Sequence, residues 1–224
     1  MVQMTDISEL LQNGKAKDVV TLVQQAVEEG VSAETILKEG LLAGMEVIGR
    51  KFRDNKIFVP EVLVAARAMS KGTEVLRPLL AKEGATSSGK VCIGTVKGDM
   101  HDIGKNLVKM MLEGKGLEVI DLGTDVPTEK FIQTATAENC QVICCSALLT
   151  TTMPEMELVV KAATDAGIRD KVKIMVGGAP VTQEFADSIG ADAYTDDATS
   201  AADVAVSFCR KRSIFTYISL EEKQ

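Results

Sequence analysis

From residue 90 onward the chain alternates short apolar runs with segments of helical period, and that alternation permits few folds. The runs fall at 90–96, 117–122, 141–147, 172–177 and 192–195. Helix-period segments lie between them near 103–115, 128–138, 153–167 and 182–189, with a last one over 198–212. Strand, helix and strand in strict succession require crossovers, and right-handed crossovers within one sheet make the strands parallel. The expected architecture is therefore α/β: a flavodoxin-like (Rossmann-like), doubly wound, five-stranded parallel sheet in the order 2-1-3-4-5. In such a sheet, ligands bind at the carboxyl ends of the strands beside the switch point, here between the first and third strands.

Ahead of this region only a helical period is seen. Ile7, Leu10 and Leu11 open it, and Val19, Leu22, Val23, Ala26 and Val27 form a second stripe. Leu41, Met45, Ile48 and Phe52 share one face of a third helix. Pro60 suits the first turn of a fourth, carrying Val62, Leu63, Ala66, Met69, Leu76 and Leu79. These helices predict a small bundle. Gly84 to Gly89 is small and polar and reads as a linker. The expected organisation is a helical domain over 1–85, an α/β domain over 90–212 and a C-terminal tail over 213–224.

Charge and cysteine content narrow the function classes. A net charge of −7, with no Lys/Arg-rich tract, argues against a nucleic-acid surface. The polar N-terminus predicts no signal peptide, no apolar run reaches membrane length, and the odd set Cys92, Cys140, Cys144, Cys145 and Cys209 reads as reduced buried thiols. A cytoplasmic protein is expected.

The residues at the predicted switch point are distinctive. The loop after the first strand holds Asp99-Met100-His101-Asp102-Ile103-Gly104, with the only histidine in the chain. An imidazole there can reach a ligand at the sheet edge, and Asp99 can orient it. The loop after the third strand, from Ser146 through Leu148 to Thr150, Thr151 and Thr152, is rich in hydroxyls, and the fourth strand ends in Gly177-Gly178. Taken singly, a lone histidine is an ordinary structural residue, paired glycines are turn residues, and a threonine run can cap a helix. Gly98 to Asn106 does not make a phosphate loop, because the glycine spacing is wrong and Asn106 replaces the Ser/Thr that would hold magnesium. No Cys/His spacing fits structural zinc.

Together these elements resemble the cobalamin-binding signature Asp-x-His-x-x-Gly, Ser-x-Leu and Gly-Gly, here Asp99 to Gly104, Ser146 to Leu148, and Gly177-Gly178. The chain is similar to the cobalamin-binding region of methionine synthase and, more closely, to the free-standing corrinoid proteins of methylotrophic and acetogenic methyltransferase systems. Those proteins also carry an N-terminal helical cap, and the stretch from Gly44 through Phe52 to Val62 resembles it. The resemblance implies that His101 is the lower axial ligand of cobalt, displacing the cofactor's own base, and that Asp99 bonds the other imidazole nitrogen. Met100, Asp102, Ile103 and Gly104 complete the motif. Ser146, Leu148, Thr150, Gly177 and Gly178 would line the slot for the displaced nucleotide tail. Phe52, Val59 and Val62 would cover the methyl-bearing face. Thr152 stands where methionine synthase has the serine of the His-Asp relay; it keeps the hydroxyl and adds a methyl, and the sequence leaves its membership open.

The implied function is that of a methyl carrier with no catalytic residue of its own. Its cofactor would be cobalamin, methylcobalamin in the loaded state. A substrate-specific methyltransferase would load it, a second would pass the methyl to tetrahydrofolate or to a thiol such as coenzyme M, and a reductive activator protein would rescue oxidised cobalt. A cobalamin-dependent sensor or regulator is disfavoured by the absence of a helix-turn-helix. An adenosylcobalamin mutase subunit is disfavoured by the cap. No nucleic acid or membrane partner is expected. Asp99→Asn is expected to be milder than His101→Ala, since it removes a charge and keeps a hydrogen-bond partner.

Overall fold

The computed structural model describes residues 1–83 and 88–221, which form two compact units. Most of the expected linker, residues 84–87, lies outside the described part, as do residues 222–224. The first unit is helical. It comprises α1 (Met4–Gln12), α2 (Ala16–Glu28), α3 (Ala33–Thr35), a π-helical segment Ile36–Leu42, α4 (Ala43–Arg53) and α5 (Val59–Glu83). The segments from α3 to α4 run on without a break. The apolar stripes form the interior, with Ile7, Leu11, Val19, Val23, Leu41, Met45, Ile48 and Leu76 all buried. Missing side chains decide how closely the helices approach. A Cβ on Gly40 would lie 3.1 Å from Ile7 Cγ2, and one on Gly72 would lie 2.9 Å from Leu41 Cδ2. Gly40 sits inside the π-helical segment, so the widened turn coincides with the close approach of α1. At the start of α5 the Phe58 N–H donates to Glu61 Oε2 at 3.1 Å, closing the first turn. The helix then runs through Pro78 to Glu83.

Among the described residues the second unit contains one all-parallel sheet in the order β2-β1-β3-β4-β5. Its strands are β1 (Lys90–Thr95), β2 (Glu118–Asp121), β3 (Val142–Ser146), β4 (Lys173–Gly177) and β5 (Ala193–Tyr194). The crossovers are α6 (Ile103–Gly114), α7 (Thr128–Ala137), α8 (Pro154–Asp165) and α9 (Gln183–Ser188), and α10 (Ala198–Glu221) follows β5. Alternation along the strands sends Cys92, Ile143, Cys145, Ile174 and Val176 into one core with Phe131 of α7 and Met156 and Val159 of α8. Val91, Ile93, Val142, Cys144 and Met175 are buried on the opposite face. α10 continues well past residue 212, where the sequence pattern places its end; residues 213–221 contain neither glycine nor proline to stop it. All five cysteines are buried thiols, and no helix among the described residues is long and apolar enough to cross a membrane.

Gly94 shows how tightly the first core is filled. A Cβ there would lie 2.9 Å from Phe131 Cζ and 3.1 Å from Val126 Cγ2. Gly94→Ala should therefore destabilise the chain by about 1–3 kcal/mol through overpacking. Combining it with Phe131→Leu should recover part of that loss in urea unfolding. Strictly additive losses would show that the two positions do not meet.

Candidate functional site

The switch point places three loops together at the carboxyl edge of the second unit: the loop after β1, the one after β2 and the one after β3. β1 ends at Thr95, and the chain then turns through Asp99 and His101 before α6 begins at Ile103. Asp102 starts that helix: its carbonyl accepts the Asn106 N–H at 2.8 Å and its carboxylate accepts the Asn106 amide at 2.9 Å.

Asp99 joins the first loop to the third. It has no exposed surface. Its Oδ1 accepts the His101 backbone N–H at 3.0 Å and lies 2.7 Å from the ring Nδ1. Its Oδ2 accepts the Leu148 N–H at 2.8 Å, the Leu149 N–H at 3.2 Å and the Thr152 hydroxyl at 2.9 Å. Burial alone would raise the pKa of this carboxyl. The donors from the His101 and Leu148 backbone, the His101 ring and the Leu149 backbone outweigh that penalty and hold it far below the usual carboxylate range. An ionised carboxylate only accepts, so His101 Nδ1 carries a proton, and in the neutral imidazole the lone pair is then on Nε2. The side chain bearing that lone pair is 51% exposed.

Thr152 is part of this chain of bonds. Its hydroxyl lies 2.9 Å from both Asp99 Oδ2 and the Leu149 carbonyl, and its single proton favours the charged acceptor. The extra methyl, relative to a serine, faces Gly98, where even a Cβ would make only ordinary van der Waals contact, 3.5 Å from Thr152 Cγ2. The buried Thr95 hydroxyl donates to the His101 carbonyl at 2.8 Å and fixes the backbone of the loop after β1. Thr95 and Leu149 do not stand out in the sequence. A threonine in a strand and a leucine in a loop carry no signal until the fold brings them beside Asp99.

Around His101 the edge is apolar and open. Ile103 is 81% exposed and Met100 70%, and Leu148 and Leu149 are also exposed. Large apolar side chains left in water beside one polar atom suit a broad, flat ligand. Beneath them Thr95, Ser146 and Gly177 stand in register across β1, β3 and β4, on the face opposite the Phe131 core. The two glycines that end β4 do different work. A Cβ on Gly177 would meet nothing within 4 Å, so its absence keeps space open above the sheet. Gly178 has φ +137°, and a Cβ there would collide with the Ala147 carbonyl oxygen. Gly104, in the first turn of α6, also faces open space, and Thr150 is exposed on the third loop. Phe52, Val59 and Val62 belong to the first unit: Phe52 is half-buried on α4, Val59 is exposed at the start of α5, and Val62 is fully buried.

Among the described residues no group of three or more His, Cys, Asp or Glu side chains could hold a metal ion. One available imidazole nitrogen suits a metal that brings its other ligands with it, as a macrocycle does. The open Gly177 position and the exposed apolar rim fit such a group.

Comparison with known proteins agrees over both units. Residues 89–205 match a family model described as a B12 binding domain, and residues 4–77 match a second model with the same description. The chain is 43% identical over 196 residues to trimethylamine corrinoid protein 1 of Methanosarcina acetivorans, covering 83% of this chain and 91% of the relative. It is 46% identical over 187 residues to the dimethylamine corrinoid protein of Methanosarcina barkeri, covering 83% and 87%. Among solved structures it is similar to a chain of the methanol:cobalamin methyltransferase complex of Methanosarcina barkeri, with a TM-score of 0.82 and 32% identity over 91% of this chain and 78% of that one.

Two sets of variants test the geometry. Asp99→Asn turns a carboxylate with five donors into a group that must present its own N–H₂ to some of them, at about 1–3 kcal/mol per unpaired donor. Thr152→Val should cost about 1–2 kcal/mol and Thr152→Ser almost nothing. Folding lowers the Asp99 pKa, so the stability this carboxylate contributes is complete above its unfolded value of about 4 and drains away as the pH falls. Denaturation followed against pH should show that acid loss in the wild type and a smaller one in Asp99→Asn. In the second set, Gly178→Ala should unfold the loop and lower the melting temperature sharply. Gly177→Ala should leave it unchanged, and equal losses would refute the division of labour between the two glycines.

Proposed function

The chain belongs to the B12-binding family through both its helical and its α/β parts, and from this we propose that it is a corrinoid protein carrying a methyl group on cobalt between methyltransferases. One observation carries the reading: the side chain of the only histidine is half-exposed and its Nδ1 is bonded to a buried carboxylate, which commits the tautomer with Nε2 available to a metal. A bound corrinoid supplies a cobalt centre that takes up the methyl group and gives it up again.

In this reading His101 would hold the cobalt of a bound corrinoid through Nε2. Asp99 accepts the Nδ1 proton, raises the donor strength of Nε2 and keeps the ring from turning. Thr152 steadies Asp99 from the third loop. Met100, Asp102, Ile103, Gly104 and Leu148 bear on the macrocycle, and their apolar members exclude water from the metal's lower side. Ser146, Thr150, Gly177 and Gly178 line the tail slot, where the empty Gly177 position provides volume. Phe52, Val59 and Val62 are assigned to shielding the methyl-bearing face. The partners are a substrate-specific methyltransferase, a second methyltransferase using tetrahydrofolate or a thiol, and a reductive activator. Likeness to a chain of a methanol:cobalamin methyltransferase complex supports the first of these. We place the protein in the cytoplasm, consistent with its buried, unbridged thiols.

The test is reconstitution. Wild-type protein should take up corrinoid stoichiometrically, and the cobalt(II) state should show nitrogen hyperfine structure in electron paramagnetic resonance. That structure should vanish in His101→Ala. The wild-type holoprotein should accept methyl groups from a methylamine or methanol methyltransferase. Absence of tight corrinoid binding would sink the proposal, and an unchanged spectrum in His101→Ala would remove His101 from its place as ligand.

A further inference from the structure

The loop that carries Asp99 and His101 is held from two sides. The third loop grips the Asp99 side chain. The segment after β2, Leu122 to Val126, grips the backbone. Thr95 N–H donates to the Gly123 carbonyl at 3.0 Å, and Val126 N–H donates back to the Thr95 carbonyl at 3.0 Å. Asp125 sits at the middle of this brace and makes two bonds in opposite directions. Its N–H donates to the Asp99 carbonyl at 2.9 Å, and its Oδ1 accepts the Gly98 N–H at 2.7 Å. The peptide units before Gly98 and after Asp99, which flank the Gly98–Asp99 peptide, are thereby tied to one residue.

Asp125 does this from an uncommon backbone conformation. Its φ is +52°, in the left-handed region where a side chain normally costs energy and where Asp and Asn are the most tolerant non-glycine residues. Glycine would adopt that conformation more easily and could not reach Gly98. A strained residue retained next to a site points to a requirement for its side chain. The segment is itself anchored. Asp121 accepts the Gly123 N–H at 3.0 Å and the ammonium of the nearly buried Lys105 at 2.6 Å, so α6 and the brace share one ion pair.

We propose that Asp125 is a positioning residue for His101: by bonding the Gly98 N–H and the Asp99 carbonyl, on either side of the Gly98–Asp99 peptide, it sets the register between the Asp99 carboxylate and the imidazole and so determines which ring nitrogen is left free. The inference rests on the corrinoid reading only where the free nitrogen meets cobalt; the tautomer itself can be read without cofactor. Site geometries of this kind tolerate displacements of about 0.5 Å, so loosening the loop is enough to let the ring turn or exchange its proton.

The experiment uses three variants of the full chain. Asp125→Asn keeps the acceptor and tolerates the positive φ. Asp125→Gly relieves the backbone and loses the acceptor. Asp125→Ala loses the acceptor and keeps the strain. The chain has a single histidine, so ring-nitrogen NMR of 15N-histidine-labelled apoprotein at alkaline pH reports one tautomeric equilibrium. Wild type and Asp125→Asn should show the Nδ1–H form. Asp125→Gly should lower the ratio of that form about five-fold, the equivalent of roughly one net hydrogen bond. In holoprotein the nitrogen hyperfine signal of cobalt(II) should weaken in the same order. If Asp125→Gly matches wild type, the residue contributes only to backbone shape and the proposal falls. Loss of the Nδ1–H form in Asp125→Asn would overturn it equally, because the acceptor would then not be what matters. Failure of wild-type protein to bind corrinoid would refute the functional reading and leave the apoprotein result standing.

Discussion

The candidate site depends on one buried negative charge. Asp99 lies on one loop, takes donors from a second, and has no surface in contact with water. A carboxylate in that position is tolerable only because its lone pairs are saturated. Two consequences follow from that saturation. The loops after β1 and β3 cannot separate without exposing unpaired N–H groups to an unpaired charge, so the edge of the sheet is locally rigid. The imidazole must also direct its Nδ1–H at Oδ1, which leaves the opposite nitrogen clear of that carboxylate. Rigidity and chemistry come from the same hydrogen bonds, and no separate device is needed for each.

The sheet topology makes this possible. In the order β2-β1-β3-β4-β5, the chain leaves β1 toward one side and β3 toward the other, so their following loops diverge above adjacent strands. The divergence provides space, and small residues keep it open: Thr95, Ser146 and Gly177 form a row of little volume where larger side chains would fill the edge. Gly178 then turns the chain away in a conformation closed to residues with a Cβ. On the other face the reverse holds, since the missing side chain of Gly94 is filled at once by Phe131. The same residue type creates a void on one face and permits close packing on the other, depending on what stands opposite.

The helical unit follows a simpler logic. Its apolar stripes bury each other, and Gly40, Gly44 and Gly72 allow neighbouring side chains to approach the helix backbones closely. The π-helical segment between α3 and α4 departs from regular α-helical geometry, and it falls where Gly40 meets Ile7. A sequence pattern of period 3.6 does not distinguish such a segment from an ordinary helix, because an added residue shifts the stripe by less than the width of the apolar face.

Much of this protein was legible in the sequence, for a clear reason. Parallel strands buried on both faces must be short and apolar, and helices covering them must be amphipathic, so local composition determined the element order, the strand order and the position of the switch point. The single histidine could be picked out because it is the only one in the chain, and its aspartate because it stands two residues before it at that point. Tertiary structure decided everything that depends on who meets whom across the chain. Thr152 joins Asp99 from 53 residues away, Leu149 contributes a backbone donor that no side-chain identity reveals, and Thr95 and Asp125 hold the ligand loop by bonds to its backbone. Even the proton on His101 is a tertiary property: an imidazole carries no preference strong enough to fix its tautomer, and only a buried, saturated carboxylate on one side leaves the other nitrogen free.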